Sequence, residues 1–190
     1  MATYLITGGA GFIGSHLSEE LVKRGEHVRV IDNFFSGKAE NMNSFINEIE
    51  FYEGDIRDTD LLKKVMPGVD YVLHHAAIAS VPRSVENPLE STEVNVIGTL
   101  NVLKAAAAEK VKRVVYAGSS SAYGNSESVY KSELETPDPI SPYAVTKLAG
   151  RPSCTSPALS LPHGLCPEAT PIVLLRPLGQ IGRASCRERV

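Results

Sequence analysis

The stretch "LITGGAGFIGSHL", residues 5–17, constrains the fold more than any other part of the chain. It places Gly9-x-Gly11-x-x-Gly14, with Gly8 just before, between a short β-branched run and an amphipathic run. Such glycines allow a tight turn and a close approach of backbone to a pyrophosphate. The last of the three, Gly14, lets the following helix pack closely on the strand, and the helix N-terminus faces the anionic charge. A glycine triplet alone also fits a flexible turn, so its surroundings decide. The next strand-like run, "HVRVIDN", ends on Asp32, 18 residues after Gly14. A carboxylate at that spacing accepts hydrogen bonds from ribose hydroxyls and repels a 2′-phosphate, which predicts a dinucleotide and NAD over NADP.

The rest of the first 150 residues repeats the same alternation. "TYLIT", "HVRVID", "IEFYEGD", "DYVLHHAA" and "RVVYAGS" are short, β-branched or aromatic runs bounded by turn residues, and read as strands. Between them, helices are predicted over Phe12–Arg24, ending at Gly25, over Asp58–Met66, and over Pro88–Lys110, which opens on Asn87-Pro88 and runs through an Ala-rich stretch. Strand and helix in alternation predict an α/β domain, a doubly wound parallel (Rossmann) sheet with both faces covered.

Bulk properties fit that expectation. At 190 residues, 43% hydrophobic and 22% charged, the chain suits one domain with a sizeable core. A net charge of -3 and a pI near 6.0 give no reason to expect nucleic acid or an anionic membrane as partner. No apolar run approaches the ~18 residues of a membrane span, and "MATYLITGG" enters a strand without a basic leader. Three cysteines, Cys154, Cys166 and Cys186, without CxxC spacing, predict neither a disulfide framework nor a zinc site. The expected compartment is cytoplasmic.

Several polar residues carry two readings. Asp55, in "EGDIRD", is a helix N-cap or turn residue, or with Ile56 a contact to adenine. His74 and His75 are no metal site without further ligands, and no metal is expected. Asn95 lies inside the long predicted helix and reads first as a satisfied polar residue. Tyr143 and Lys147, in "YAVTK", stand i,i+4 on one helix face, so that the ammonium can favour the phenolate. Such a tyrosine can take a proton from a substrate hydroxyl while hydride leaves the same carbon for NAD, with a serine from the end of the fifth strand positioning the oxygen.

The motifs "TGGAGFIG", "IDN", "GDIRD", "HHAA", "NVIGTLNVL", "SSSAYG" and "YAVTK" together resemble the extended short-chain dehydrogenase/reductase family, in its nucleotide-sugar epimerase/dehydratase branch, over about residues 2–150. The resemblance implies Ser119, Tyr143 and Lys147 as catalytic residues. Its cofactor contacts would be Gly8, Gly11, Phe12, Ile13, Gly14, Asp32, Asn33, Asp55, Ile56, Ala76, Ala77, Asn95, Tyr143 and Lys147. Family dehydratases and decarboxylases carry an acidic residue before Tyr123-Gly124, where this chain has Ser119, Ser120, Ser121 and Ala122. What remains implied is reversible hydride transfer, sufficient for 4-epimerisation of a UDP-hexose. The loop "ASVPRS", Ala79–Ser84, and "PISPYAVTK" most resemble UDP-N-acetylglucosamine 4-epimerases. Other readings are a nucleotide-sugar reductase or other epimerase, or an NAD-binding fragment without catalysis. A homodimer through the Pro88–Lys110 and Tyr143 helices is implied for the parent protein.

The last 40 residues depart from that pattern. Six of the twelve prolines fall there, and Pro152, Pro157, Pro162, Pro167 and Pro171 are expected to keep any helix from crossing. Residues 171–177 are the candidate sixth strand. "IGRASCRERV", 181–190, reads as translated adapter sequence rather than evolved protein. A truncated chain is expected, with 1–150 the NAD-binding domain, 151–190 an anomalous tail, the C-terminal substrate domain missing and the fragment inactive.

Overall fold

The computed structural model of the chain describes residues 1–125 and 135–155. Five parallel strands form one sheet: β1 (Thr3–Thr7), β2 (His27–Asp32), β3 (Glu50–Glu53), β4 (Tyr71–His74) and β5 (Arg113–Tyr116), in the order β3-β2-β1-β4-β5. The order reverses direction between β1 and β4. That switch point is where the carboxyl ends of parallel strands leave a crevice for ligand. This is the predicted Rossmann-like sheet.

Alternation along each strand builds two cores. Leu5 and Ile31 join Leu62, Val72, Val102, Leu103 and Val114 on one face. Their chain neighbours Ile6 and Val30 turn the other way, onto Val28, Met42 and Phe45. With both faces buried, the strand sequences read as continuous apolar runs.

The helices are α1 (Phe12–Lys23), α2 (Thr59–Val65), α3 (Val81–Glu86), α4 (Pro88–Thr92), α5 (Thr99–Ala108) and α6 (Pro142–Thr155). Gly25, at φ +76°, ends α1 in the left-handed conformation. Asp58 rather than Asp55 caps α2, accepting from the amides of Asp60 and Leu61. Three expectations change. "ASVPRS" enters a helix, because the Ser80 side chain accepts from the Arg83 amide and Pro82 suits a first turn. The Pro88–Lys110 helix is broken by a π-helical segment, Glu93–Gly98, between α4 and α5, and α5 stops at Ala108. And α6 does not end at Gly150: its backbone continues through Pro152 to Thr155. Pro152 has no amide hydrogen, so the helix runs through it without one of its backbone hydrogen bonds. The candidate strand 171–177 and the tail beyond Thr155 lie outside the described residues. Among the described residues no helix is long and apolar enough to cross a membrane.

Candidate active site

Thirteen of the sequence-predicted residues line one cavity of about 400 Å³ at the carboxyl ends of the strands: Gly8, Gly11, Phe12, Ile13, Gly14, Asp32, Asn33, Asp55, Ile56, Ala76, Ala77, Tyr143 and Lys147. Ser119 and Asn95 are not among its lining residues.

The floor is the turn from β1 into α1. Gly8 sits at φ +74°, and a side chain there would meet the backbone nitrogen of Ala76 at 2.8 Å. A Cβ on Gly14 would collide with the Gly8 carbonyl and come within 2.7 Å of the Gly9 Cα. Both positions therefore exclude every other residue type. The N-cap, Gly11, offers no side-chain oxygen to α1, so the first-turn amides face the cavity without a local acceptor.

Asp32 closes the end of β2 with a carboxylate only 8% exposed. One oxygen accepts from the Ala10 amide (2.9 Å) and the other from the Phe34 amide (2.8 Å). Each oxygen keeps a further lone pair, which fixes the carboxylate as a two-point acceptor for a ribose diol. Next to it Asn33 donates to Asp55 (3.1 Å), and Arg57 grips Asp55 through Nε (3.0 Å) and a terminal nitrogen (2.8 Å). Hydrogen bonds from that guanidinium hold the Asp55 carboxyl below the usual range. Ile56 is buried beneath Gly98, whose hydrogen leaves room for it. The glycine cradle and the anchored carboxylate fit a dinucleotide.

The opposite wall belongs to α6. Lys147 is 5% exposed; its ammonium donates to the Ala117 carbonyl (3.1 Å) and lies 5.0 Å from the centre of the Tyr116 ring. Tyr143 stands one turn earlier on the same cavity. Its amide donates to the hydroxyl of Ser84 on α3 (3.0 Å). Ser119 caps the 3-10 turn Ser120–Tyr123, accepting from the Ser121 amide (3.2 Å) and sharing a hydrogen bond with the Ser121 hydroxyl (2.7 Å). Helix α6 packs on that turn.

Asn95 is fully engaged. Its carbonyl oxygen accepts from the Ile78 amide (2.8 Å), and its nitrogen donates to the Ile78 carbonyl (3.2 Å) and to Thr146 (3.0 Å). Thr146 donates onward to the Tyr143 carbonyl (2.7 Å). The satisfied-polar reading thus describes Asn95, whose bonds run to Ile78 and to Thr146 on α6.

The two histidines separate. Thr99 commits its proton to the Asn95 carbonyl (2.6 Å), so it accepts from Nε2–H of His74 (2.9 Å). Nδ1 of His74 accepts from Thr7 (2.6 Å), whose oxygen takes the Ala76 amide (3.2 Å). This chain fixes one neutral tautomer, and burial, aided by the Lys147 charge, depresses the pKa to about 3. His75 lines the cavity, and burial and Lys147 push its pKa down to about 4. Sequence reasoning missed Ser84, Thr146, Arg57 and His75. Each belongs to a quoted motif, but Ser84 and Thr146 bond to partners on other elements, Arg57 grips Asp55 within its own motif, and His75 is marked only by its place on the cavity wall.

Comparison with known proteins accords with this geometry. The sequence matches the NAD dependent epimerase/dehydratase family over residues 4–159. It is 40% identical over 147 residues to a UDP-glucose 4-epimerase of Halalkalibacterium halodurans, covering 76% of this chain and 43% of that one. The fold superposes on the UDP-N-acetylglucosamine 4-epimerase of Methanobrevibacter ruminantium, in complex with UDP-N-acetylmuramic acid, with a TM-score of 0.79 and 36% identity, covering 85% of this chain and 52% of that one. For the UDP-glucose 4-epimerase of Thermus thermophilus in complex with NAD, the TM-score is 0.73 at 40% identity, covering 78% and 48%. The chain therefore spans about half the length of the relatives it matches. With a glycine cradle, an anchored Asp32 and a Tyr143–Lys147 pair on one cavity, and a family match over most of its length, the chain belongs to the NAD dependent epimerase/dehydratase family.

Proposed function

We propose that the whole protein is an NAD-dependent 4-epimerase of UDP-hexoses, UDP-glucose or UDP-N-acetylglucosamine, working through a 4-keto sugar. The observation that carries this reading is that Tyr143 and Lys147 share a cavity with Asp32 and the glycine cradle, while the segment Ser119–Ala122 holds no carboxylate. Bound NAD would accept and return a hydride at the sugar C4. Gly8, Gly11 and Gly14 would seat its pyrophosphate, and Asp32 its ribose. Tyr143 takes the proton of the 4-hydroxyl, its phenolate favoured by the Lys147 ammonium. Ser119 releases its Ser121 partner to hold the 4-oxygen. Without an acid at 119–122, no proton is moved elsewhere on the sugar, so elimination and decarboxylation lack a required group. For residues 1–190 alone we propose cofactor binding without turnover, since the relatives place about twice this length in the active protein.

We propose a second copy of the whole protein as partner. Leu89, Ile97, Leu100 and Val145 are exposed apolar side chains on α4, the π-helical segment, α5 and α6, the helices implied for a dimer. The function is tested by supplying the whole protein with UDP-glucose and UDP-N-acetylglucosamine and following the 4-epimers. Formation without net reduced nicotinamide is the expected result; no turnover of either sugar removes the reading.

A further inference from the structure

The start of α6 sets where Tyr143 stands, and its amides can be accounted for one by one. Pro142 opens the helix and has no amide hydrogen. The Ala144 amide goes to the side chain of Ser141 (3.1 Å), and the Val145 amide to the Ser141 carbonyl (3.0 Å). Local capping thus serves every first-turn donor except the amide of Tyr143 itself. That one is taken by Ser84, from α3, 59 residues earlier in the chain (3.0 Å).

Ser84 is built for this contact. It is fully buried, and its own proton is committed to the Val81 carbonyl (2.7 Å), so its oxygen faces Tyr143 as an acceptor. Its backbone is fixed by its own helix, where the Ser84 amide donates to the Ser80 carbonyl (3.1 Å). From the far side, Thr146 donates to the Tyr143 carbonyl (2.7 Å). The residue carrying the phenol is therefore held at both its amide and its carbonyl, and only the amide clamp comes from α3.

We infer that Ser84 is a positioning residue for Tyr143: it holds the first turn of α6 closed, so that the phenol stays within reach of Lys147 and the reacting oxygen. This deepens the proposed function and rests on it, because it assumes that the Tyr143 phenol does the proton chemistry. Substitution by alanine removes the Ser84 acceptor from the part-buried Tyr143 amide, and the turn opens toward water.

The test reads the phenol directly. Chain 1–190 is labelled with carbon-13 at tyrosine Cζ, saturated with NAD and titrated by NMR, with Y143F identifying the signal. S84A is expected to raise the Tyr143 pKa by about one unit, about tenfold less phenolate at neutral pH, while S84T, which keeps the hydroxyl, stays near the unsubstituted value. Folded S84A with an unchanged titration overturns the inference. Should S84A fail to fold, hydrogen exchange of the Tyr143 amide in the unsubstituted chain decides. Protection equal to the α6 interior supports the clamp, and exchange at the rate of an open amide overturns it. A Tyr143 pKa near the ordinary ~10 in the unsubstituted, NAD-saturated chain defeats the proposed function instead, and amide exchange then judges Ser84 by itself.

Discussion

The Lys147 ammonium donates to the Ala117 carbonyl at 3.1 Å, joining α6 to the loop that follows β5. The charge is buried, lies over the Tyr116 ring, and stands on the same cavity as the Tyr143 phenol. A lysine held in this way acts from a fixed point. Its effect on a neighbouring phenol does not depend on a flexible side chain finding its place.

Y143F and K147M should each lower kcat of the whole protein by about 10²–10⁴-fold, the range for losing positioned acid–base chemistry. Y143F removes one hydroxyl and should leave NAD retention intact, measured as cofactor co-purifying with the protein.

Asp32 should set cofactor choice. D32N replaces an oxygen that accepts a backbone amide with a nitrogen that cannot, beside either Ala10 or Phe34. NAD affinity is expected to fall about tenfold, ~1.4 kcal/mol, and the preference for NAD over NADP to narrow. Calorimetric titration with each cofactor checks this.

Stability should fall in mild acid. His74 and His75 have folded pKa values of about 3 and about 4, below the ordinary 6.5, because burial disfavours their charged forms. Their contribution is complete above pH 6.5. As pH drops below it, the unfolded chain binds protons that the folded chain refuses, so the contribution is lost toward pH 4 and 3. The slope is at most ~1.4 kcal/mol per pH unit for each histidine. Urea midpoints across this range test the point, and H74N should flatten the decline.

L89E and V145E place charge on the proposed face between copies, at residues 68% and 51% exposed. Each should shift sedimentation from dimer to monomer with little change in melting temperature, because neither side chain belongs to the core.

The sheet was legible in the sequence because each strand is a continuous apolar run and each βα turn carries its own punctuation. Gly25 and Pro88 marked helix ends by chemistry that acts within one turn. The cofactor end of the cavity was legible for the same reason: Gly8, Gly14 and Asp32 act through backbone geometry and fixed spacing. What was not legible depends on partners distant in sequence. Ser84 bonds the Tyr143 amide across 59 residues, and Asn95 reaches Thr146 across 51, neither of which leaves a periodic trace. The proline rule did not anticipate that the α6 backbone runs through Pro152 to Thr155.

The central claim, that one hydride leaves C4 and returns to it within the site, is tested most directly with UDP-glucose deuterated at C4. Incubated with the whole protein and NAD in ordinary water, the 4-epimer should form with deuterium retained at C4. Epimer that has lost the label to solvent, or no epimer at all, would contradict the account.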